Sequence, residues 1–482
     1  MESITHPTLD WTTYRNIMNG KLTTTAETRH GINPATGQEN PTVPVSTKED
    51  VEQAMKAAKE ASKVWATTPY TERQKALLAY ADALEAESQA FSDMLAREQG
   101  KPMQFAKMEL DLSVQWLRGI AELELPVQKI EDDNSDRTII VRYTPLGVAV
   151  GIVPWNYPIL LAVGKIAPAV VTGNAIIIKP SPFTPYGGLK LIELAQSFFP
   201  PGVVQALSGD DNLGPWLTSH PTPAKISFTG STFTGKKVME SASKTLKRVT
   251  LELGGKDPAI VCEDVNIDEV APQIAQLAFL NSGQICIALK RIFVHEKIFD
   301  EFKAALIKAT NRLKVGEANE PDVFLGPIQN KMQYERVKGF YEEVRAEKYN
   351  VVAGGETPTG PGYFLTPTIV DRPPLDSRLV VEEPFGPIVP LLSYSSYDEA
   401  VDLANNTLYG LGASIWSGSV ERANELATRI EAGNVWVNTH FELDPRAPFG
   451  GHKESGIGTE WGVGGLVSYC NSQTLFLKKS KM

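Results

Sequence analysis

Four residues have types that could take part in chemistry, and each stands in a distinctive local setting. Cys286 lies in "FLNSGQICIALKR", between Ile285 and Ile287 and just after Gly283. A thiol there could be a nucleophile, although a cysteine in apolar surroundings is more often inert packing. Glu252 sits inside the apolar run "VTLELGG". A carboxylate so placed should have a raised pKa and could act as a base, or it could be one half of a buried ion pair. Asn156, in "VPWNYP", is a polar residue that follows an apolar run and could close an Asx turn ahead of Tyr157 and Pro158. Lys179 ends the run "IIIK" before a proline, where its amine could reach a ribose hydroxyl or a phosphate, or simply snorkel to water.

The stretch "AKISFTGSTFTGKKVMESASK" adds a phosphate-binding geometry. Gly230-x-x-x-x-Gly235-Lys236 comes within one letter of the nucleotide-hydrolase loop, but Lys237 stands where Ser or Thr would ligate magnesium. Nucleotide hydrolysis is therefore disfavoured. What survives is a strand over Lys225 to Phe228, a Gly/Ser turn, and a helix whose first N–H groups face the turn.

These residues need elements to hold them. Residues 47 to 122 are helical in pattern, opening on a Ser-x-x-Glu capping box in "STKEDVEQ". From 146 to 262 short apolar strands alternate with helices: "VAVGIVP", "NAIIIKP", "VVQALSG", "KISFTG" and "PAIVCED". That alternation marks a doubly wound parallel sheet, whose ligands sit at the carboxyl ends of its strands. Asn156, Lys179, Gly230 and Glu252 all follow or end such strands, so they should converge on one crevice. A second α/β run extends from about Asn266 to Asn438, giving two domains in tandem with a cleft between them.

Composition narrows the class. With 42% apolar and 22% charged residues, the 482-residue chain is long enough for two or three cores. A net charge of -10 supplies no basic stripe, so a nucleic-acid partner is not expected. The apolar runs are far shorter than the roughly 20 residues of a membrane span. The three cysteines lack metal-ligand spacing, so no metal is expected, and they fit a reducing compartment. "MESITHPTLDWTTYRN" does not read as a secretory signal, which points to the cytoplasm. The alternative is the peroxisome, because Ser480-Lys481-Met482 differs only at its last letter from a peroxisomal address.

Seven motifs, "PWNYP", "KPS", "FTGS", "LELGGK", "NSGQIC", "EEPFGP" and "PFGGHKESGIG", stand in one order, with Glu252 and Cys286 34 positions apart (286 − 252). Together they resemble the NAD(P)-dependent aldehyde dehydrogenase superfamily across almost the whole chain. The resemblance implies an α/β fold of two Rossmann-like parallel-sheet domains plus a small β oligomerisation arm. Its boundaries would be 1–127 and 147–253 for cofactor binding, 254–453 for catalysis, and 128–146 and 454–482 for the arm. Cys286 would be the nucleophile, Asn156 the oxyanion donor, and Glu252 the base that activates water against a thioester. Members that pass the acyl group to coenzyme A lack this glutamate, so hydrolysis is favoured over that alternative. A structural protein that keeps the fold without the chemistry is the remaining rival.

For the cofactor, NAD with NADP possible, the resemblance implies Val153, Pro154, Trp155, Lys179, Ser181, Gly214, Phe228, Gly230, Ser231, Leu253, Gly254, Glu383 and Phe385. Glu383 would hold the nicotinamide ribose, and Phe385 would lie beside the nicotinamide. Pro182 replaces a carboxylate that would repel a 2′-phosphate, which leaves NADP open. The small-molecule aldehyde would meet Tyr157, Leu160, Leu161, Gly164, Ile285, Ile287 and Phe449, a largely apolar set. Gly164 stands where tryptophan is frequent. It implies either a wide tunnel for bulky aliphatic or aromatic aldehydes or a neighbour, such as Trp116, that fills the gap. Glu442, Asp444 and Arg446 in "HFELDPRAP" could tune the mouth or be wetted loop charges. The tail "LVSYCNSQTLFLKK" alternates apolar residues and fits strand addition in a homodimer or homotetramer.

Overall fold

Apolar β-branched runs between Val148 and Glu252 build the first sheet. The computed structural model describes residues 9–131 and 137–479. Ser480, Lys481 and Met482, and the first eight residues, thus lie outside the described part. The strands Val204–Ala206, Ala175–Lys179, Val148–Ile152, Lys225–Thr229 and Arg248–Glu252 run parallel in that order. Ile176, Ile177 and Ile178 are fully buried. Each contributes about 1.5–3 kcal/mol, which is why both faces of this strand are apolar. Antiparallel edges complete the sheet: Asn16–Met18 and Lys21–Thr23 on one side, Gly456–Ile457 on the other.

The chain runs outward from Val148–Ile152 in one direction and then returns to its other side at Lys225–Thr229. This reversal opens a crevice at the carboxyl ends of those two strands.

The second sheet has the order Asn350–Ala353, Thr368–Asp371, Ile388–Tyr394, Leu289–His295, Asp257–Val261, Gly412–Trp416, Asn434–Val437. All neighbours are parallel except the first pair. The run "PAIVCED", grouped above with the first set of strands, sits near the middle of this sheet instead. Only residues 253–256 separate it from Glu252, so the carboxyl ends of sheet one face the amino ends of sheet two.

Four helices, Lys48–Trp65, Tyr70–Ala86, Ser88–Glu98 and Met103–Ala121, fill residues 48 to 121. The first is capped by Thr47 and Asp50 rather than by the expected Ser46 and Glu49. The Ser46 hydroxyl donates instead to the Ser208 carbonyl at 2.6 Å.

The stretch 454–482, expected to be arm throughout, is divided. Gly456–Ile457 joins the first sheet, and the short helix Gly462–Val467 packs on the helix Pro158–Val171. Only Cys470–Lys478 pairs with Arg137–Pro145, which in turn pairs with Gln128–Glu131. The tail's immediate strand partner therefore belongs to its own chain. Among the described residues no helix is long and apolar enough to cross a membrane, and no group of three metal-ligating side chains occurs.

Candidate active site

Where the two sheets meet, Asn156, Glu252 and Cys286 line one cavity. Glu252 ends its strand opposite Thr229. It is 3% exposed, and neither carboxylate oxygen has a hydrogen-bond partner among the described residues. Burial raises its pKa to about 7, partly offset by the nearby Cys286 thiol, by Lys165 and by Thr229. Lys165 donates to Ser227 and Thr229 at 2.9 Å each and pairs with Glu460 at 3.2 Å, so a polar chain reaches the residue beside Glu252.

Cys286 follows a tightly wound turn. Asn281, Ser282 and Gly283 have φ of 51°, 57° and 71°, three successive left-handed residues. Each non-glycine member costs about 1–2 kcal/mol. A Cβ on Gly283 would lie 2.3 Å from the Gly386 carbonyl oxygen, so the close approach of these two loops requires glycine. Burial, and then the neighbouring Glu252, push the Cys286 thiol well above its ordinary range. The resting sulfur is therefore a thiol, and its activation needs a nearby base.

Asn156 is held from both ends. Its Nδ2 donates to the Gln284 carbonyl at 3.0 Å, and its own carbonyl accepts from Lys101 Nζ at 3.1 Å. Lys101 pairs with Glu109, and both side chains are fully buried. Glu109 Oε1 in turn accepts from the Ile159 and Leu160 amides, at 2.9 and 3.2 Å. This carboxylate satisfies the first free N–H groups of the helix Pro158–Val171, where negative charge is favoured. Neither Lys101 nor Glu109 is distinguishable in the sequence from an ordinary charged surface residue.

The crevice suits a dinucleotide. Lys179 is buried, and the only acceptor its amine meets among the described residues is the Pro180 carbonyl, at 3.4 Å; burial lowers its pKa to about 8. An under-satisfied buried amine is what a ribose hydroxyl would complete. Snorkelling is thereby excluded. Gly214 leaves room beside it, since a Cβ there would meet nothing nearer than Lys179 Cε at 3.9 Å.

The Val153 amide bonds the Lys179 carbonyl, fixing the turn that carries Pro154 and Trp155. Trp155 stands edge-on to Phe385 with ring centroids 5.3 Å apart. Gly230 donates to the Glu252 carbonyl and packs over Phe228. Ser231 caps the helix Thr232–Ser243. Ser181 accepts from the Phe183 amide, closing the turn after Lys179. Leu253 and Gly254 are tied to Ser455. Gly254 abuts Glu383, whose carboxylate accepts from the Gly255 amide at 3.1 Å.

Tyr157, Leu160, Leu161, Ile285, Ile287 and Phe449 all line the cavity, but Gly164 does not. A Cβ on Gly164 would lie 2.6 Å from Trp461 Nε1. The wide tunnel expected over Gly164 is therefore absent. Trp461 fills the gap, and Trp116 only buttresses it, edge-on at 5.0 Å. Phe441 and Leu443 complete the wall. They alternate with Glu442, which is exposed, and with Asp444, which is tied to Arg446. The period-two pattern of "FELD" carried this signal.

The profile of the aldehyde dehydrogenase family matches residues 22–475. The aldehyde dehydrogenase LUC3 of a Fusarium species is 42% identical over 98% of this chain and 100% of its own length. The phenylacetaldehyde dehydrogenase of Pseudomonas fluorescens is 37% identical, covering 94% of this chain and 93% of its own. Among solved structures, the betaine aldehyde dehydrogenase of Staphylococcus aureus in complex with NAD+ superposes with a TM-score of 0.94. It is 31% identical over 98% of this chain and 96% of its own.

Proposed function

The chain belongs to the aldehyde dehydrogenase family, and we propose that it oxidises apolar aliphatic or aromatic aldehydes to carboxylic acids with NAD. The observation that carries this reading is the meeting of Cys286, Asn156 and Glu252 in one cavity whose remaining wall is almost wholly apolar. The family's NAD-bound relative and the phenylacetaldehyde dehydrogenase support the cofactor and the substrate class.

Cys286 Sγ adds to the aldehyde carbon, and its proton passes to a neighbouring base. The oxyanion is received by Asn156 Nδ2 and the Cys286 amide, each such donor being worth about 3 kcal/mol. When bound, the dinucleotide supplies the hydride acceptor. Loss of hydride from the carbon leaves a thioester on Cys286. Glu252, with a pKa of about 7, takes a proton from the water that releases the acid and frees the thiol. Water outcompetes coenzyme A here because that base is present. The β arm joins copies of the chain into a homodimer or homotetramer.

Initial rates over a series of linear alkanals and phenylacetaldehyde, with NAD and NADP and without coenzyme A, test the reading. The apolar wall predicts a rise in kcat/KM of about fourfold per methylene, the equivalent of about 0.8 kcal/mol, until the cavity is filled. A flat or falling series would remove the substrate class. Turnover that survives stoichiometric alkylation of Cys286 would remove the mechanism.

A further inference from the structure

Behind the nucleophile, one side chain gathers three close acceptors and a more distant fourth, the Ala288 carbonyl at 3.5 Å. Lys290 Nζ donates to the Ile285 carbonyl at 2.7 Å and to the Cys286 carbonyl at 2.5 Å, and it pairs with Glu383 Oε1 at 3.2 Å. Its side chain is 4% exposed, so this ammonium sits away from water and spends all three of its donors on these partners. A buried cation is costly to hold, and an apolar side chain would pack in its place at less expense.

The Ile285 carbonyl and the Cys286 amide are opposite edges of one planar trans peptide. Holding that carbonyl oxygen on Lys290 turns the Cys286 N–H away from Lys290. It also polarises the peptide, which strengthens the N–H as a donor. No acceptor for this N–H is found among the described residues. Glu383, the third partner, also accepts from the Gly255 amide and touches Gly254 on the cofactor side of the cleft.

We propose that Lys290 is a positioning residue: it aims and polarises the Cys286 amide toward the substrate oxyanion, and its pairing with Glu383 links that aim to the cofactor side. The proposal rests on the aldehyde-oxidising reading of Cys286. The charged and titratable groups facing this corner are Glu252 from the first sheet, Asp257 and Arg291 from the second, Lys256 from the segment between them, and Glu383, Tyr157 and His440 from flanking segments. Lys290 is the cation that favours a thiolate at Cys286, against Glu252 and Glu383.

The test uses the full chain with Lys290→Met, Lys290→Arg and, as reference, Asn156→Ala. Steady-state rates and the pH profile of Cys286 alkylation by iodoacetamide are measured for each. Lys290→Met should lower kcat about tenfold to hundredfold and move the alkylation profile to higher pH, with Lys290→Arg restoring part of both. An unmoved profile with unchanged kcat would overturn the proposal, because a side chain that merely fills space is replaced by methionine. If Lys290→Met does not fold, Lys290→Gln decides by the same profile: a shift supports the role and no shift overturns it. Failure of alkylation to abolish turnover in the unaltered enzyme would sink the parent reading instead, whatever Lys290 does.

Discussion

Glu252 is pulled in opposite directions by stability and by catalysis. In the unfolded chain its carboxyl ionises near 4.5, whereas in the folded site it keeps its proton to about 7. Between those values the folded state binds more protons, so rising pH favours unfolding. Glu98, with a pKa of about 8, and Asp257, at about 7, act in the same sense. Yet only the ionised form of Glu252 can take a proton from water. Turnover should therefore climb through pH 7 while the melting temperature falls from pH 5 to pH 8. Glu252→Gln should give a burst of reduced cofactor with little steady turnover, and at pH 8 it should recover up to about 3 kcal/mol of stability. Stopped-flow absorbance and calorimetry at the two pH values check both halves. A variant with no burst but with cofactor bound would force another role on this residue. Glu252, Cys286 and Asn156 were legible as candidates only together, through the order and spacing of the motifs that hold them. Lys290 and Lys101 were not, because what distinguishes them is the set of carbonyls they meet in space.

At the scale of elements, the amino end of the helix Pro158–Val171 is the joint that aims Asn156. It begins with Pro158 at its first turn and has no side-chain cap of its own. Glu109, from the distant helix Met103–Ala121, supplies the missing acceptor. Glu109→Gln keeps the shape but leaves Lys101 without its carboxylate in a dry site, where burial already disfavours the charged amine. The expected loss is about 3–5 kcal/mol, read by urea denaturation. A fall in kcat should accompany it, because Lys101 would no longer steady the Asn156 carbonyl. A loss below about 1 kcal/mol would mean that water replaces the pair. The strands of both sheets were readable from their apolar runs. Which sheet each run joins was not, since "PAIVCED" and "KISFTG" both read as short strands and nothing within either run names the neighbours it takes.

Across the whole molecule, the arm carries the clearest exposed apolar surface. Phe476 is 68% and Leu477 46% exposed on the edge strand Cys470–Lys478, with Ile130 41% exposed on the opposite edge strand. Unpaired edges with such side chains invite a second chain. Replacing Phe476 and Leu477 by aspartate should reduce the mass seen by light scattering to that of a single chain. An unchanged mass would place the interface elsewhere. The alternation in the tail sequence announced a strand, but its pairing with Arg137–Pro145 spans more than three hundred residues and leaves no local trace.

The substitution of Trp461 for bulk at Gly164 has a temporal side. Phe449, Glu460 and Trp461 follow the last strand of the second sheet, Asn434–Val437, in chain order. A ribosome thus delivers every strand of the second sheet, and all of the first but its Gly456–Ile457 edge, together with Cys286, before it delivers Glu460 and Trp461. A released chain ending between 438 and 461 would leave the Cys286 thiol in an unroofed crevice, open to whatever electrophile the surroundings hold.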